Sequence, residues 1–143
     1  MYRRAVADSL AAVHETVRWA SSLASGAGLS NDIRYAVEVC LEEALANLVL
    51  HGRVRDGGKG IEVCFRAYPP GAELVLSDRC LPFDSGHAPL PVRTMPGALA
   101  VGGQGLRLLR AFSTSLTYNV EPWGNELTMV IEPRPLTPTN DPL

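Results

Sequence analysis

The sequence lacks the residues that several common chemistries depend on. Its three cysteines, Cys40, Cys64 and Cys80, are odd in number and far apart, and no Cys-x-x-Cys pair occurs. Neither a disulfide framework nor a zinc site is supported, so reduced thiols and a cytoplasmic location are expected. His14-Glu15 opens like a metalloprotease helix, but Arg18 stands where the second histidine ligand would be. Charge of one sign is also scarce. The net charge of −2 carries no electrostatic footprint for nucleic acid or an anionic membrane. No apolar run approaches the ~20 residues of a membrane span. Arg3 and Arg4 near the start are not followed by the apolar stretch of a signal peptide. There is no internal repeat.

What remains is a chain of 143 residues, 46% hydrophobic and 20% charged, which is ordinary for one globular domain with a real core. Residues 1–132 read as that single domain, and 133–143, rich in proline and without a core pattern, as a tail. Tyr2–Val6 reads as a short edge strand, with Asp8 or Ser9 as the N-cap of a first helix. Leu10, Val13, Val17, Ala20 and Leu23 recur at helical steps until Ser25-Gly26-Ala27-Gly28 stops them. Ser30 or Asn31 caps a second helix that runs to His51. A flexible turn over 53–60 follows. Ile61–Tyr68 and Glu73–Ser77 read as a hairpin punctuated by Pro69-Pro70-Gly71-Ala72. Residues 79–102, with four prolines and little periodicity, read as a lid-length loop. Gly105–Phe112 is expected as a short helix, and Ser115–Val120 with Glu126–Glu132 as a closing hairpin. Helices early and antiparallel strands later indicate an α+β two-layer sandwich.

The most informative stretch lies in the second helix. Glu43, Asn47 and His51 follow one another at steps of four, which stacks them as a polar stripe. Val37, Leu41, Ala44, Leu45 and Leu48 form the neighbouring apolar stripe that should face a core. Asn is a mediocre helix former, so Asn47 needs another reason to be there. A carboxylate beside an amide oxygen supplies a base and a hard ligand, the needs of a magnesium–phosphate site. A solvated flank ending in a Gly52 C-cap is the alternative.

Two further clusters follow. Asp78 ends an apolar strand, where a lone carboxylate facing a cleft is a good acceptor for an exocyclic amine such as that of adenine; an Asx turn that starts the loop is the structural alternative. Val101-Gly102-Gly103-Gln104-Gly105-Leu106 opens the short helix, and glycines leading into a helix offer bare N–H groups and a favourable dipole to phosphates. No Gly-Lys-Ser/Thr follows, so this is no Walker A loop, and Leu108 occupies the third glycine position of a dinucleotide fingerprint.

In this order the three clusters resemble the anti-sigma-factor serine/threonine kinases, a small-domain branch of the superfamily that also holds gyrase, mismatch-repair and sensor-histidine-kinase ATPase domains. Glu43 to Gly52 is similar to that family's N-box, Asp78-Arg-Cys-Leu-Pro-Phe-Asp84 to its first glycine box, Gly103-Gln-Gly105-Leu106 to its second, and Gly124-Asn125-Glu-Leu-Thr128 to its last strand. The resemblance implies a Bergerat ATP-binding fold, with a mixed, mostly antiparallel sheet covered by helices on one face. It implies ATP and magnesium as cofactors, Asn47 as a magnesium ligand, and Asp78 as the acceptor for the adenine amine with Thr128 assisting. Gly103, Gly105 and Leu106 would meet the phosphates under a lid of residues 85–102, and Glu43 would be the base for transfer to a partner serine. The implied partners are a sigma factor or an antagonist protein, with homodimers known among members. One departure stands out: Cys80 replaces a glycine whose backbone lies against adenine. It motivates a second reading, a non-catalytic interaction module with weak or lost ATP binding, although an ordinary small buried residue is the simpler reading of Cys80 itself. A third reading, a sensor histidine kinase catalytic domain, lacks room for a phospho-accepting helix pair.

Overall fold

A computed structural model describes residues 1–54, 56–82 and 104–134. The elements run β1 (Tyr2–Val6), α1 (Leu10–Gly26), α2 (Asn31–His51), β2 (Ile61–Tyr68), β3 (Gly71–Asp78), α3 (Gln104–Phe112), β4 (Ser115–Glu121) and β5 (Gly124–Ile131). Ser9 and Ser30 are the helix caps. Their hydroxyls accept from the backbone N–H groups of Ala12 and Ile33, satisfying donors that the first helical turn leaves open. Ile61–Tyr68 is as expected, but the other three hairpin strands are longer, because the turns shrink to two residues, Pro69-Pro70 and Pro122-Trp123.

The five strands form one sheet in the order β1-β2-β3-β5-β4. Every pairing is antiparallel among the described residues, which corrects the expected mixed sheet. The reason is topological. The connection from β3 through α3 leaves β4 parallel to β3, but the closing hairpin inserts β5 between them, so no parallel pair becomes adjacent.

Register assigns each side chain to a face. Val63, Phe65, Leu74, Leu76, Leu127, Met129 and Ile131 point to one side and are buried. There they meet α2 through Val37, Cys40, Leu41, Ala44 and Leu45, with α1 and α3 flanking α2. Burying each large aliphatic or aromatic side chain contributes about 1.5–3 kcal/mol. The expected apolar stripe of α2 is therefore the contact surface, with Leu48 half-buried at its end. The opposite sheet face carries Glu62, Cys64, Arg66, Glu73, Val75, Ser77, Thr128 and Thr117, none of them fully buried. No helix among the described residues is long and apolar enough to cross a membrane.

Candidate functional site

The two walls of the site come from α2 and from the edge of the sheet where β3 ends and β5 begins. On α2, Glu43 and Asn47 are half-buried and His51 is exposed, so the polar stripe emerges from the core towards solvent along the helix. Glu43 has no hydrogen bond or ion pair among the described residues. The Asn47 side-chain nitrogen is buried and has no partner among the described residues. Buried polar groups are nearly always satisfied, so an amide left open beside an open carboxylate marks a place where a ligand fits.

The other wall is a closed polar knot. Asp78 is 5% exposed and is the last residue of β3. Its Oδ1 accepts the Cys80 N–H at 2.9 Å and the Asn125 Nδ2–H at 2.9 Å. Asn125, 2% exposed, also donates to the Cys80 carbonyl at 3.1 Å. The Asx turn is thus present, and strand register puts the Asp78 carboxylate on the helix-covered side of the sheet. Asn125 faces Asp78 directly across the ladder. Gly124 permits that approach: its φ is +156°, and a Cβ there would collide with the Asp78 carbonyl oxygen. The Asn125 Oδ1 is buried and has no partner among the described residues.

Cys80 is 2% exposed. Its sulfur lies 3.0 Å from where a Cβ on Gly52 would be. The side chain therefore lies against the glycine that ends α2, and Gly52 is what makes room for it. This contact joins the two walls, since Gly52 follows Asn47 by five residues, about 7 Å along a helix. Burial, together with the Asp78 carboxylate to which the thiol is hydrogen-bonded, pushes the Cys80 thiol up to about 12. It is a protonated packing group at neutral pH.

Two groups that the sequence pattern did not single out belong here. Lys59, in the stretch expected to be a flexible turn, is 8% exposed. Its ammonium donates to the Leu48 and Val49 carbonyls at 3.0 and 2.8 Å and to Asp8 Oδ1 at 2.8 Å, capping the negative end of α2. Tyr118 on β4 stands on the same face as Asn125, and burial with Asp78 and Cys80 nearby raises its phenol pKa. No periodicity would reveal Lys59. Strand parity does reveal Asn125, because residues opposite one another on paired strands share a face.

Thr128 requires correction. It lies between the buried Leu127 and Met129 and pairs with Val75 and Thr117, so its side chain is on the sheet face opposite Asp78. Three residues separate it from Asn125, and an odd step along a strand changes face. Thr128 therefore does not stand beside Asp78; Asn125 does. Gly105 and Leu106 fall in the first turn of α3. Gly103 and the expected lid, 85–102, lie outside the described residues, as does the tail from residue 135.

No group of three or more His, Cys, Asp or Glu side chains able to hold a metal occurs among the described residues. Magnesium in a phosphate site does not need one. It keeps several waters and takes few protein ligands beside phosphate oxygens, and the Asn47 amide oxygen, a hard ligand that makes no hydrogen bond among the described residues, fits that role.

The chain is similar to known proteins by family model, by sequence and by fold. Residues 6–131 match the model of the histidine kinase-like ATPase domain. Over 123 residues the chain is 28% identical to the serine/threonine-protein kinase BtrW of Bordetella bronchiseptica, covering 85% of this chain and 86% of that protein. Among solved structures it is similar to the histidine kinase domain of the blue-light activated histidine kinase of Erythrobacter litoralis EL346, with a TM-score of 0.49 and 12% identity. That match covers 85% of this chain and 59% of the other.

Proposed function

The chain belongs to the histidine kinase-like ATPase domain family, and from that premise we propose that it is an ATP-dependent protein-serine kinase of the anti-sigma-factor type. It binds ATP with magnesium in the cytoplasm, transfers phosphate to a serine of an antagonist protein, and sequesters a sigma factor or that antagonist. The observation that carries this reading is the Asn47 side-chain N–H2, a buried donor with no partner among the described residues, free to meet a phosphate oxygen one helical turn beyond Glu43. The similarity to a named serine/threonine kinase supports the choice of acceptor.

Each residue has one task. Asp78, held by Cys80 N–H and by Asn125, accepts the adenine amine. The Asn47 amide oxygen holds magnesium, which when bound neutralises charge on the phosphates. Backbone N–H groups at the start of α3, Gly105 among them, face the phosphates with the positive end of the helix dipole. Glu43 would accept the proton of the serine hydroxyl as the serine oxygen bonds to the terminal phosphorus and the bond from that phosphorus to the bridging oxygen breaks, releasing ADP. Little else is asked of the protein, because positioning and charge stabilisation dominate phosphoryl transfer. The Cys80 side chain lies over Gly52, an arrangement that favours nucleotide binding over the interaction-module reading.

Calorimetric titration with ATP and magnesium tests the proposal. The parent protein should bind, and Asn47→Ala should weaken binding of the magnesium complex by roughly tenfold or more through loss of a metal ligand. A parent protein that binds no ATP would overturn the reading.

A further inference from the structure

The site has walls on two separate elements, and a ligand that spans them needs a fixed distance between them. α2 carries Glu43 and Asn47; the loop after β3 carries the base-reading Asp78. Cys80 against Gly52 is an apolar touch between the walls. A polar connection also exists, and it runs through one residue outside every motif. The Lys59 ammonium holds the carbonyls of Leu48 and Val49, the two residues that follow Asn47. The Lys59 carbonyl accepts the Arg79 N–H at 2.6 Å, from the residue that follows Asp78. A second strut lies beside it: Leu81 N–H donates to the Arg53 carbonyl at 3.1 Å, and the Arg53 guanidinium to the Pro82 carbonyl at 3.2 Å.

We propose that Lys59 is a positioning residue that sets the separation between the phosphate–metal wall and the base wall of the nucleotide site. The inference rests on the ATP-site reading above. Lysine suits the task. A buried ammonium directs three donors and must have all of them met, and here two helical carbonyls and the Asp8 carboxylate meet them. Asp8 brings the start of α1 into the same clamp and supplies the counter-charge. An ordinary helix C-cap needs neither burial nor a carboxylate partner. The side chain and the backbone of Lys59 also act on different walls. Replacing the side chain frees α2 and leaves the carbonyl on Arg79 in place, so the two halves of the ligand should respond differently.

The experiment is Lys59→Met, which keeps length and apolar volume and removes the donors. Affinities for magnesium ATP, which spans both walls, and for adenosine, which uses only the base wall, are measured on parent and variant. The expected result is a loss of roughly tenfold or more for magnesium ATP, with adenosine affinity unchanged. Lys59→Arg, whose planar fork cannot direct three donors as an ammonium does, should give an intermediate loss with the same split. It also serves as the readout if the Met variant does not fold. Equal losses for both ligands, or no loss for either, would overturn the inference while the nucleotide site stands. A parent protein that binds neither ligand would overturn the site assignment itself, and this inference with it.

Discussion

The two ends of the sheet are built differently. At the end where β3 finishes and β5 begins, three buried polar residues, Lys59, Asp78 and Asn125, bond across elements. Elsewhere among the described residues the buried polar residues are Thr16 and Ser113: Thr16 donates its hydroxyl to the Ala12 carbonyl one turn back in α1, and Ser113, just past α3, donates to the Leu109 carbonyl of that helix. A cation caps a helix at each end. Arg134 donates to the Arg110 and Ala111 carbonyls at the close of α3, but it is exposed, near an edge-to-face pair of Tyr35 and Phe112. Lys59 does the same for α2 from inside the protein. Of three buried side-chain atoms without partners among the described residues, two, on Asn47 and Asn125, belong to the first end. Polar burial costs free energy unless it is paired. The molecule concentrates that cost where a ligand would complete the pairing and leaves the far end to apolar packing and local bonds.

This contrast can be broken by substitution. The largest effect should come from Glu43→Gln, which keeps size and helix propensity but removes the proton acceptor. Transfer to the partner serine should fall by roughly 10²–10⁴-fold while ATP affinity stays near that of the parent. A variant as fast as the parent would remove Glu43 from the mechanism. On the far half of the sheet, Phe65 is fully buried opposite Leu74. Phe65→Ala should cost about 3–5 kcal/mol of stability, read by urea unfolding, and leave the ATP affinity of the folded protein unchanged. If affinity falls with stability, the two ends are not separable. A smaller effect should distinguish nucleotides. Guanine presents a carbonyl where adenine has its amine, so it would face Asp78 and the Asn125 Oδ1 with acceptor against acceptor. GTP should bind more weakly by roughly 1–3 kcal/mol, and equal affinity in competition would remove Asp78 from base recognition.

Much of the first end could be read in the sequence because its residues sit in periodic elements. The step of four places Glu43 with Asn47, and the end of an apolar run places Asp78. The strand alternation Leu127, Met129, Ile131 also held the information that turns Thr128 outward and Asn125 inward, since a shift of three residues crosses the sheet. Lys59 could not be read in this way. It lies among glycines in a segment without period, and its partners, Asp8 and the end of α2, are brought to it only by tertiary structure. The consequence of Cys80 was equally hidden. Whether a Cβ obstructs a ligand depends on where it points, and that is decided by Gly52 on another element.

Cys80 supports the smallest prediction, and the one closest to the boundary between the walls. Its side chain rests over Gly52, so Cys80→Gly should leave ATP affinity unchanged. Stability should fall, because a buried side chain is lost and glycine adds backbone entropy of roughly 0.5–1 kcal/mol to the unfolded chain. The thiol also has a pH signature. Its unperturbed pKa is 9.0, and in the folded protein it is pushed up to about 12. Below pH 9 both states hold the proton and nothing is lost. From there towards 12 the unfolded chain releases it first, so the folded state loses stability as pH rises. Cys40, buried at the centre of α2 and also pushed up to about 12, contributes the same trend. The Gly variant should therefore lose less stability than the parent between pH 8 and pH 10, a range chosen to bracket the unperturbed value, when urea midpoints are compared. A marked gain in ATP affinity in the variant would instead mean that the thiol obstructs the base, and would revive the interaction-module reading.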